Sequence, residues 1–366
     1  MKILLNANNS FVLYNFRYEL MKTLSDNKYN IVCLAGKDSS SKDIEKNGWK
    51  FIESSIDRRG TNPINDIKLL LDYIKIYKEE KPDYIFHYTI KPNIYGTIAA
   101  RILGIPTINN VTGLGDVFSR KSLVNTMVKF LYKIAFKFPK KVFFQNDDDM
   151  NLFLENNLIQ RNICGRLPGS GVDLNRFKPM ENTEQNDKIV FLYLGRISEN
   201  KGVRILNEIS KEVFKKYENV EFRLLGKVYE DEPGHISKNE LGNWEKESNI
   251  KYIGTSKDVT EQIKNADCII FPSYYREGVP RSLIESAAMG KPIITTNNVG
   301  CKDIVQDKYN GFLSEPKDVQ GMVENIEKFL KLSTEERKQL GRNGRKKVEK
   351  EFDVNIVVDK YLEAIK

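Results

Sequence analysis

The sequence contains no run of about 18 apolar residues, so no spanning helix is expected. The start, Met1 and then Lys2-Ile-Leu-Leu-Asn6, reads as a short strand. No longer apolar stretch with a small-residue cleavage site follows it, so a leader is not expected. Low-complexity tracts and internal repeats are lacking as well. Cysteine is scarce: Cys33, Cys164, Cys268 and Cys301 stand far apart, and none forms a CxxC pair. Buried free thiols in a reducing cytoplasm are the expectation, not disulfides or metal ligands. Histidine occurs only twice, and no His/Cys/carboxylate cluster has metal-site spacing, so no metal and no cofactor are expected.

The 366 residues are too many for one ordinary core and suit two domains. The formal charge of +8 permits an anionic partner without naming it. Nucleic acid, lipid headgroups and nucleotide phosphates all qualify.

The first half alternates apolar strand-like runs with helical patterns. Strands are expected near 2–6, 30–35, 49–53, 83–88, 107–111 and 141–146, with the clearest helices at 65–80 and 93–103. A Gly- and Pro-punctuated, then polar, stretch at 165–187 reads as a linker. The alternation then restarts, with strands near 188–194, 220–225, 250–253, 267–271 and 292–295. Helices are expected near 203–217, 259–265 and 281–289. Little strand character is expected near the end of the chain. Strands alternating with helices imply parallel sheets, and so an α/β chain of two doubly wound, Rossmann-like domains. Such sheets bind ligands beyond the carboxyl ends of their strands.

Two segments there carry chemistry. In Asp267-Cys-Ile-Ile-Phe-Pro-Ser-Tyr-Tyr-Arg-Glu277-Gly-Val-Pro-Arg-Ser-Leu-Ile-Glu285, a strand runs into a loop with Glu277 and Gly278, and Pro280 sits at a helix start. Unpaired N–H groups at a helix start suit phosphate oxygens. Glu277 on the loop and Glu285 on the helix can grip separate hydroxyl-bearing parts of one ligand. In Phe191-Leu-Tyr-Leu-Gly195-Arg196-Ile-Ser-Glu-Asn-Lys201-Gly202, a planar donor fork and a mobile ammonium follow another strand and suit a diphosphate. Standing alone, either pair of charges reads better as exposed surface charge.

Together the segments resemble the family 4 retaining glycosyltransferases of GT-B fold, through Gly195-Arg196…Lys201 and the Glu277-x7-Glu285 element. Pro168-Gly-Ser-Gly-Val-Asp173, Gly290-Lys-Pro-Ile-Ile294 and Asn310-Gly-Phe-Leu313 are similar to other family segments. The resemblance implies two domains around a deep cleft. An acceptor domain at 1–178 would be joined by a crossover helix at about 350–366, and a nucleotide-sugar domain would span 179–349. It implies that Arg196 and Lys201 neutralise a donor diphosphate and that Glu285 binds the ribose. Glu277 would bind the transferred sugar near the amides of Gly278 and Val279. Retention of anomeric configuration and an α-linkage follow from the same resemblance.

The segments His87-Tyr-Thr-Ile-Lys91-Pro-Asn and Val111-Thr112-Gly113-Leu-Gly115 are similar to a subgroup that builds bacterial surface polysaccharides of capsule and O-antigen type. Thr112 stands where many members carry histidine. The likeness implies Lys91, Thr112 and Gly113 on the acceptor side, with His87 either at the active site or packed at a strand end. It also implies a UDP-sugar donor, an N-acetylhexosamine and a polyprenyl-diphosphate-linked acceptor, with no nucleic acid. A sugar-nucleotide epimerase and a non-catalytic polyanion-binding protein are the competing readings. A dinucleotide site at Gly113-Leu-Gly115 lacks its third glycine.

From Val117 to Asn146 there is no acidic residue. Lys129, Lys133 and Lys137 form one helical stripe, with Met127, Leu131, Ile134 and Phe138 opposite. The expectation is a helix whose apolar side packs on the domain while its lysines meet an anionic membrane on its cytoplasmic face. That arrangement suits association without insertion.

Overall fold

A computed structural model describes residues 1–57, 60, 62–115, 122–181, 187–230 and 234–366. The chain divides into two compact units, Met1–Ser170 with Val354–Lys366, and Gly171–Asp353. Most of the polar stretch 181–187, and Val117 to Lys121 of the acid-free segment with Arg120, lie outside the described residues.

The first unit holds a seven-stranded sheet in the order β3-β2-β1-β4-β5-β6-β7. Its strands are β1 (Lys2–Asn9), β2 (Asn30–Gly36), β3 (Lys50–Glu53), β4 (Tyr84–Tyr88), β5 (Thr107–Val111), β6 (Lys141–Phe144) and β7 (Cys164–Arg166). All neighbours pair in parallel. Both faces are covered, which is why these strands read as continuous apolar runs. On one face Ile3, Leu5, Cys33, Phe86 and Phe143 pack with Leu13, Leu20 and Leu24 of the helix Ser10–Asp26. Val357, Val358 and Tyr361 of the helix Val354–Ile365 join them. On the other face Leu4, Val32, Leu34 and Ile85 meet Leu69, Tyr73 and Tyr77 of the helix Pro63–Glu80. Farther along that face Val111, Val142 and Phe144 meet Tyr132 and Ala135 of the helix Leu123–Ala135.

The second unit holds six parallel strands in the order β10-β9-β8-β11-β12-β13. They are β8 (Ile189–Leu194), β9 (Val220–Leu225), β10 (Ile250–Tyr252), β11 (Cys268–Phe271), β12 (Ile293–Thr296) and β13 (Gly311–Ser314). One continuous core runs from Phe191 and Ile270 to Ile326 and Phe329.

Four details correct the sequence reading. The expected linker begins with a strand, β7, which closes the edge of the first sheet. The expected helix at 93–103 opens with a π-helical turn, Pro92–Gly96, before the α-helix Thr97–Ile102. A further strand, β13, lies toward the end of the chain, where little strand character is expected. The helix Leu123–Ala135 packs through Tyr132 and Ala135, whereas Met127 and Phe138 are exposed and Leu131 and Ile134 half-buried. Its expected packing face therefore packs only in part, through Leu131.

Candidate active site

In each sheet the chain reverses its winding direction beside the first strand, between β1 and β4 and between β8 and β11. Ligands of doubly wound sheets bind at such switch points. Gly195 and Arg196 directly follow β8, and the loop carrying Glu277 follows β11, so both motifs meet at the switch point of the second sheet.

Lys201 donates to Glu277 Oε1, and the two side chains are only 12% and 11% exposed. The buried Ser273 hydroxyl donates to the same carboxylate oxygen at 3.0 Å. The Lys201 ammonium lies 5.9 Å from the Phe271 ring centroid and 5.7 Å from that of Tyr275, within cation–π range.

Backbone packing fixes this geometry. Gly202 caps the helix Val203–Phe214 with φ of 77°, and a Cβ there would stand 2.0 Å from the Pro272 carbonyl oxygen. The turn bearing Lys201 is thereby held against the end of β11. Gly300 has φ of 83°, and its Cβ would fall 1.7 Å from the Gly278 oxygen. Only glycine fits both the conformation and the contact, and Gly278 is held next to Glu277. Thr296 donates to the Ser273 carbonyl at 2.6 Å, and the Asn298 amide donates to the Tyr275 carbonyl at 2.7 Å.

The charges are felt by buried neighbours. Burial, and then Glu277, push the Cys301 thiol up to about 12, with Lys201 acting in the opposite direction. Burial and Glu277 likewise raise Tyr193, while Arg196 lowers it. The Tyr193 hydroxyl donates to the Arg196 carbonyl at 2.7 Å. Arg196 and Glu277 thus act on one ring. Glu285 lies on the helix Arg281–Ala288, where it accepts from Arg281 Nε at 2.7 Å. Gly278 and Val279 are buried on the connecting loop.

The residues expected on the acceptor side fall at the carboxyl end of the first sheet. Lys91 is ion-paired with Asp66 at 2.6 Å, and the Tyr95 hydroxyl donates to the same carboxylate at 2.9 Å. Thr112 and Gly113 follow β5 and are half-buried. His87 does not line a surface. It is fully buried, with Nε2 3.0 Å from the Tyr77 hydroxyl and Nδ1 3.4 Å from the Thr97 hydroxyl. Burial depresses it to about 3, despite a hydrogen bond with Asn109 that works the other way. Of its two expected settings, the structure gives the packed strand end.

The sequence reading missed Ser273 and Arg281, which hold the two glutamates. The Arg281–Glu285 spacing of four on a helix was a usable signal. It also missed Thr89, which directly follows β4 at the switch point of the first sheet. Thr89 has φ of 69°, unusual for a β-branched residue, and donates to Asn8 Oδ1 at 2.5 Å.

Comparison with known proteins agrees with this architecture. The family described as glycosyl transferases group 1 matches residues 175–347, and that described as glycosyl transferase 4-like matches residues 2–146. The chain belongs to these glycosyltransferases. One relative is the N,N'-diacetylbacillosaminyl-diphospho-undecaprenol alpha-1,3-N-acetylgalactosaminyltransferase of Campylobacter jejuni. It is 27% identical over 96% of this chain and 94% of its own length. Another is the UDP-Gal:alpha-D-GlcNAc-diphosphoundecaprenol alpha-1,3-galactosyltransferase of Escherichia coli, 25% identical over 82% of this chain and 80% of its own. Among solved structures, Anabaena Alr3699/HepE in complex with UDP and glucose superposes with a TM-score of 0.84. It is 17% identical and covers 100% of this chain and 99% of its own. The fold of this glycosyltransferase is accordingly GT-B. Among the described residues, no helix is long and apolar enough to cross a membrane.

Proposed function

We propose that this glycosyltransferase moves an N-acetylhexosamine from a UDP-sugar to a saccharide carried on a polyprenyl diphosphate, with retention, during assembly of a bacterial surface polysaccharide. The observation that carries this reading is the Lys201–Glu277 contact at the β8/β11 switch point, flanked by Arg196. The names of both relatives support it, since each transfers a hexose or N-acetylhexosamine in α-1,3 linkage to a diphospho-undecaprenol acceptor.

In the reaction, the bond between the sugar's anomeric carbon and the diphosphate breaks, and its electron pair stays with UDP. An acceptor hydroxyl oxygen bonds to that carbon on the face that the diphosphate leaves, which retains the configuration, and its proton passes to the departing diphosphate oxygen. Positive charge grows on the sugar ring and negative charge on the diphosphate. Arg196, Lys201 and the N–H groups at the start of the helix Arg281–Ala288 would stabilise the second charge, so that a metal ion is not required. Glu277 would hold the hydroxyls of the departing sugar and Glu285 those of the ribose. Lys91, Thr112 and Gly113 would face the acceptor.

An acceptor with a lipid tail places the reaction at a bilayer. Lys129, Lys133 and Lys137 suit the anionic cytoplasmic leaflet, where the chain would be peripheral. The test is a thermal-shift series over nucleotide sugars, because a ligand that binds only the folded state raises Tm with concentration. A UDP-N-acetylhexosamine is expected to raise Tm most. A chain that responds to no uridine nucleotide would refute the donor assignment.

A further inference from the structure

The helices Pro63–Glu80 and Leu123–Ala135 cover the same face of the first sheet, and both touch the turn Pro92–Gly96 between them. Each starts after the carboxyl end of a strand, β3 and β5 respectively. Their first turns therefore lie at the same end of the sheet, with Lys91, Thr112 and Gly113.

Each helix leaves an apolar ridge uncovered in that first part. On the earlier helix it is Ile64, 74% exposed, with Ile67 and Leu71. On the later one it is Leu123, 91% exposed, and Phe130, 62% exposed, with Val124 and Met127. At about 100° per residue, positions 64, 67 and 71 share one stripe, and so do 123, 127 and 130. These side chains are not part of the core: the buried residues of the two helices are Asp66, Leu69, Tyr73 and Tyr77, and Tyr132 and Ala135.

Lysines outnumber acids beside the ridges. Lys68 and Lys75 border the first, and Lys129, Lys133 and Lys137 border the second. Asp66 is buried and paired with Lys91, and Asp72 accepts from the Ser55 hydroxyl at 2.5 Å. No acid occurs from Ser122 to Asn146. Apolar ridges rimmed by lysine match a bilayer's acyl boundary beneath anionic headgroups. A second copy of this chain would bring lysine against lysine.

We infer that the two ridges together form an insertion surface that seats the first unit in an anionic lipid bilayer on either side of its acceptor end. This rests on the membrane part of the proposed reading and is independent of the donor chemistry. It also differs from docking by the lysine stripe alone, because apolar insertion persists when salt screens the charges.

The test is flotation of the full chain with phosphatidylcholine–phosphatidylglycerol vesicles at roughly 0.1 and 1 M salt, where the Debye length is about 10 and 3 Å. Ile67→Glu/Leu71→Glu and Met127→Glu/Phe130→Glu are compared with wild type, with folding checked by thermal melting and UDP affinity measured in parallel. Wild type is expected to stay partly bound at high salt. Each ridge variant should lose about tenfold or more of its partitioning, with an unchanged Tm and unchanged UDP affinity. In a second measurement, Ile67→Trp and Leu123→Trp should both gain quenching by brominated acyl chains beyond that of the wild type with its native Trp49 and Trp244.

Ridge variants that float like wild type would overturn the inference, as would quenching of only one of the two tryptophans. So would a dimeric wild type that the same substitutions make monomeric without altering flotation. Binding abolished by salt would also overturn it, while leaving lysine docking intact. Loss of UDP affinity in wild type would count against the donor reading alone.

Discussion

Lys201 and Glu277 are 76 residues apart in sequence and make a hydrogen-bonded ion pair at the switch point of the second sheet. Ser273 shares the carboxylate. A donor diphosphate and its sugar can take over both groups at once, the ammonium meeting phosphate and the carboxylate meeting hydroxyls. Lys201→Ala removes a charge-assisted contact worth about 1.5–3 kcal/mol, roughly ten- to hundredfold in affinity. UDP binding by calorimetry is therefore expected to weaken by that factor. Unchanged UDP affinity would remove Lys201 from the diphosphate.

Arg196→Ala and Glu285→Ala are each expected to weaken UDP by about tenfold while the fold survives, since on the proposed reading Arg196 meets the diphosphate and Glu285 the ribose. Glu285 already accepts from Arg281 in the free protein, so Arg281→Ala should weaken UDP less than Glu285→Ala does. Wild-type calorimetry in both Arg196→Ala and Glu285→Ala would sink the assignment. By contrast, Glu277→Gln should leave UDP nearly as tight and lower kcat by about a hundredfold, because its proposed partner is the transferred sugar.

Gly300→Ala tests the support of the glutamate loop from a distance. The added Cβ meets a backbone oxygen at 1.7 Å, and its φ of 83° is strained for alanine. A loss of stability of about 1–3 kcal/mol is expected, together with weaker sugar-nucleotide binding. Gly242, with nothing within 4 Å of its Cβ position, is the control: Gly242→Ala, inside a helix, should be neutral or stabilising.

Activity is expected to persist in EDTA, since Arg196 and Lys201 already supply positive charge where the diphosphate would lie. Complete loss of turnover, restored by Mg²⁺ or Mn²⁺, would contradict that expectation.

The two sheets were readable because parallel strands buried on both faces leave long apolar runs. The run at 220–225 matches β9 to the residue, and those near 83–88 and 267–271 match β4 and β11 to within one. β13 was not readable: it is four residues long, begins at Gly311, and shows no alternation. β7, Cys-Gly-Arg, has no apolar residue beyond its cysteine. The helix Ser10–Asp26 has no Gly or Pro break before it, and Asn9 both ends β1 and caps the helix by accepting from Val12 N–H. At the site, residue types at strand ends pointed to Arg196, Lys201, Glu277 and Glu285. The contacts of Ser273, Thr296 and Gly300 arise only in the folded chain. His87 was ambiguous because a strand's last residues face core and crevice alternately, and only packing shows which side holds the ring.

The His87 environment makes a pH prediction of its own. Folding holds the ring neutral at a depressed value of about 3, whereas an unfolded histidine titrates near 6.5. Below about pH 6.5 the unfolded chain takes up a proton that the folded chain refuses, so folding stability present above that pH falls as pH drops. The loss is at most about 1.4 kcal/mol per pH unit and ends as pH passes through about 3, where the folded ring also protonates. Denaturant melts of wild type between pH 7 and 4 should therefore slope more steeply than those of His87→Gln, which keeps polar contacts to Tyr77 and Thr97 but cannot titrate. The pH dependence of kcat between 5 and 8 should be the same in both proteins, because a ring sealed beneath Tyr77 and Thr97 exchanges no proton with substrate. An acidic limb in kcat that disappears in His87→Gln would return this histidine to the chemistry.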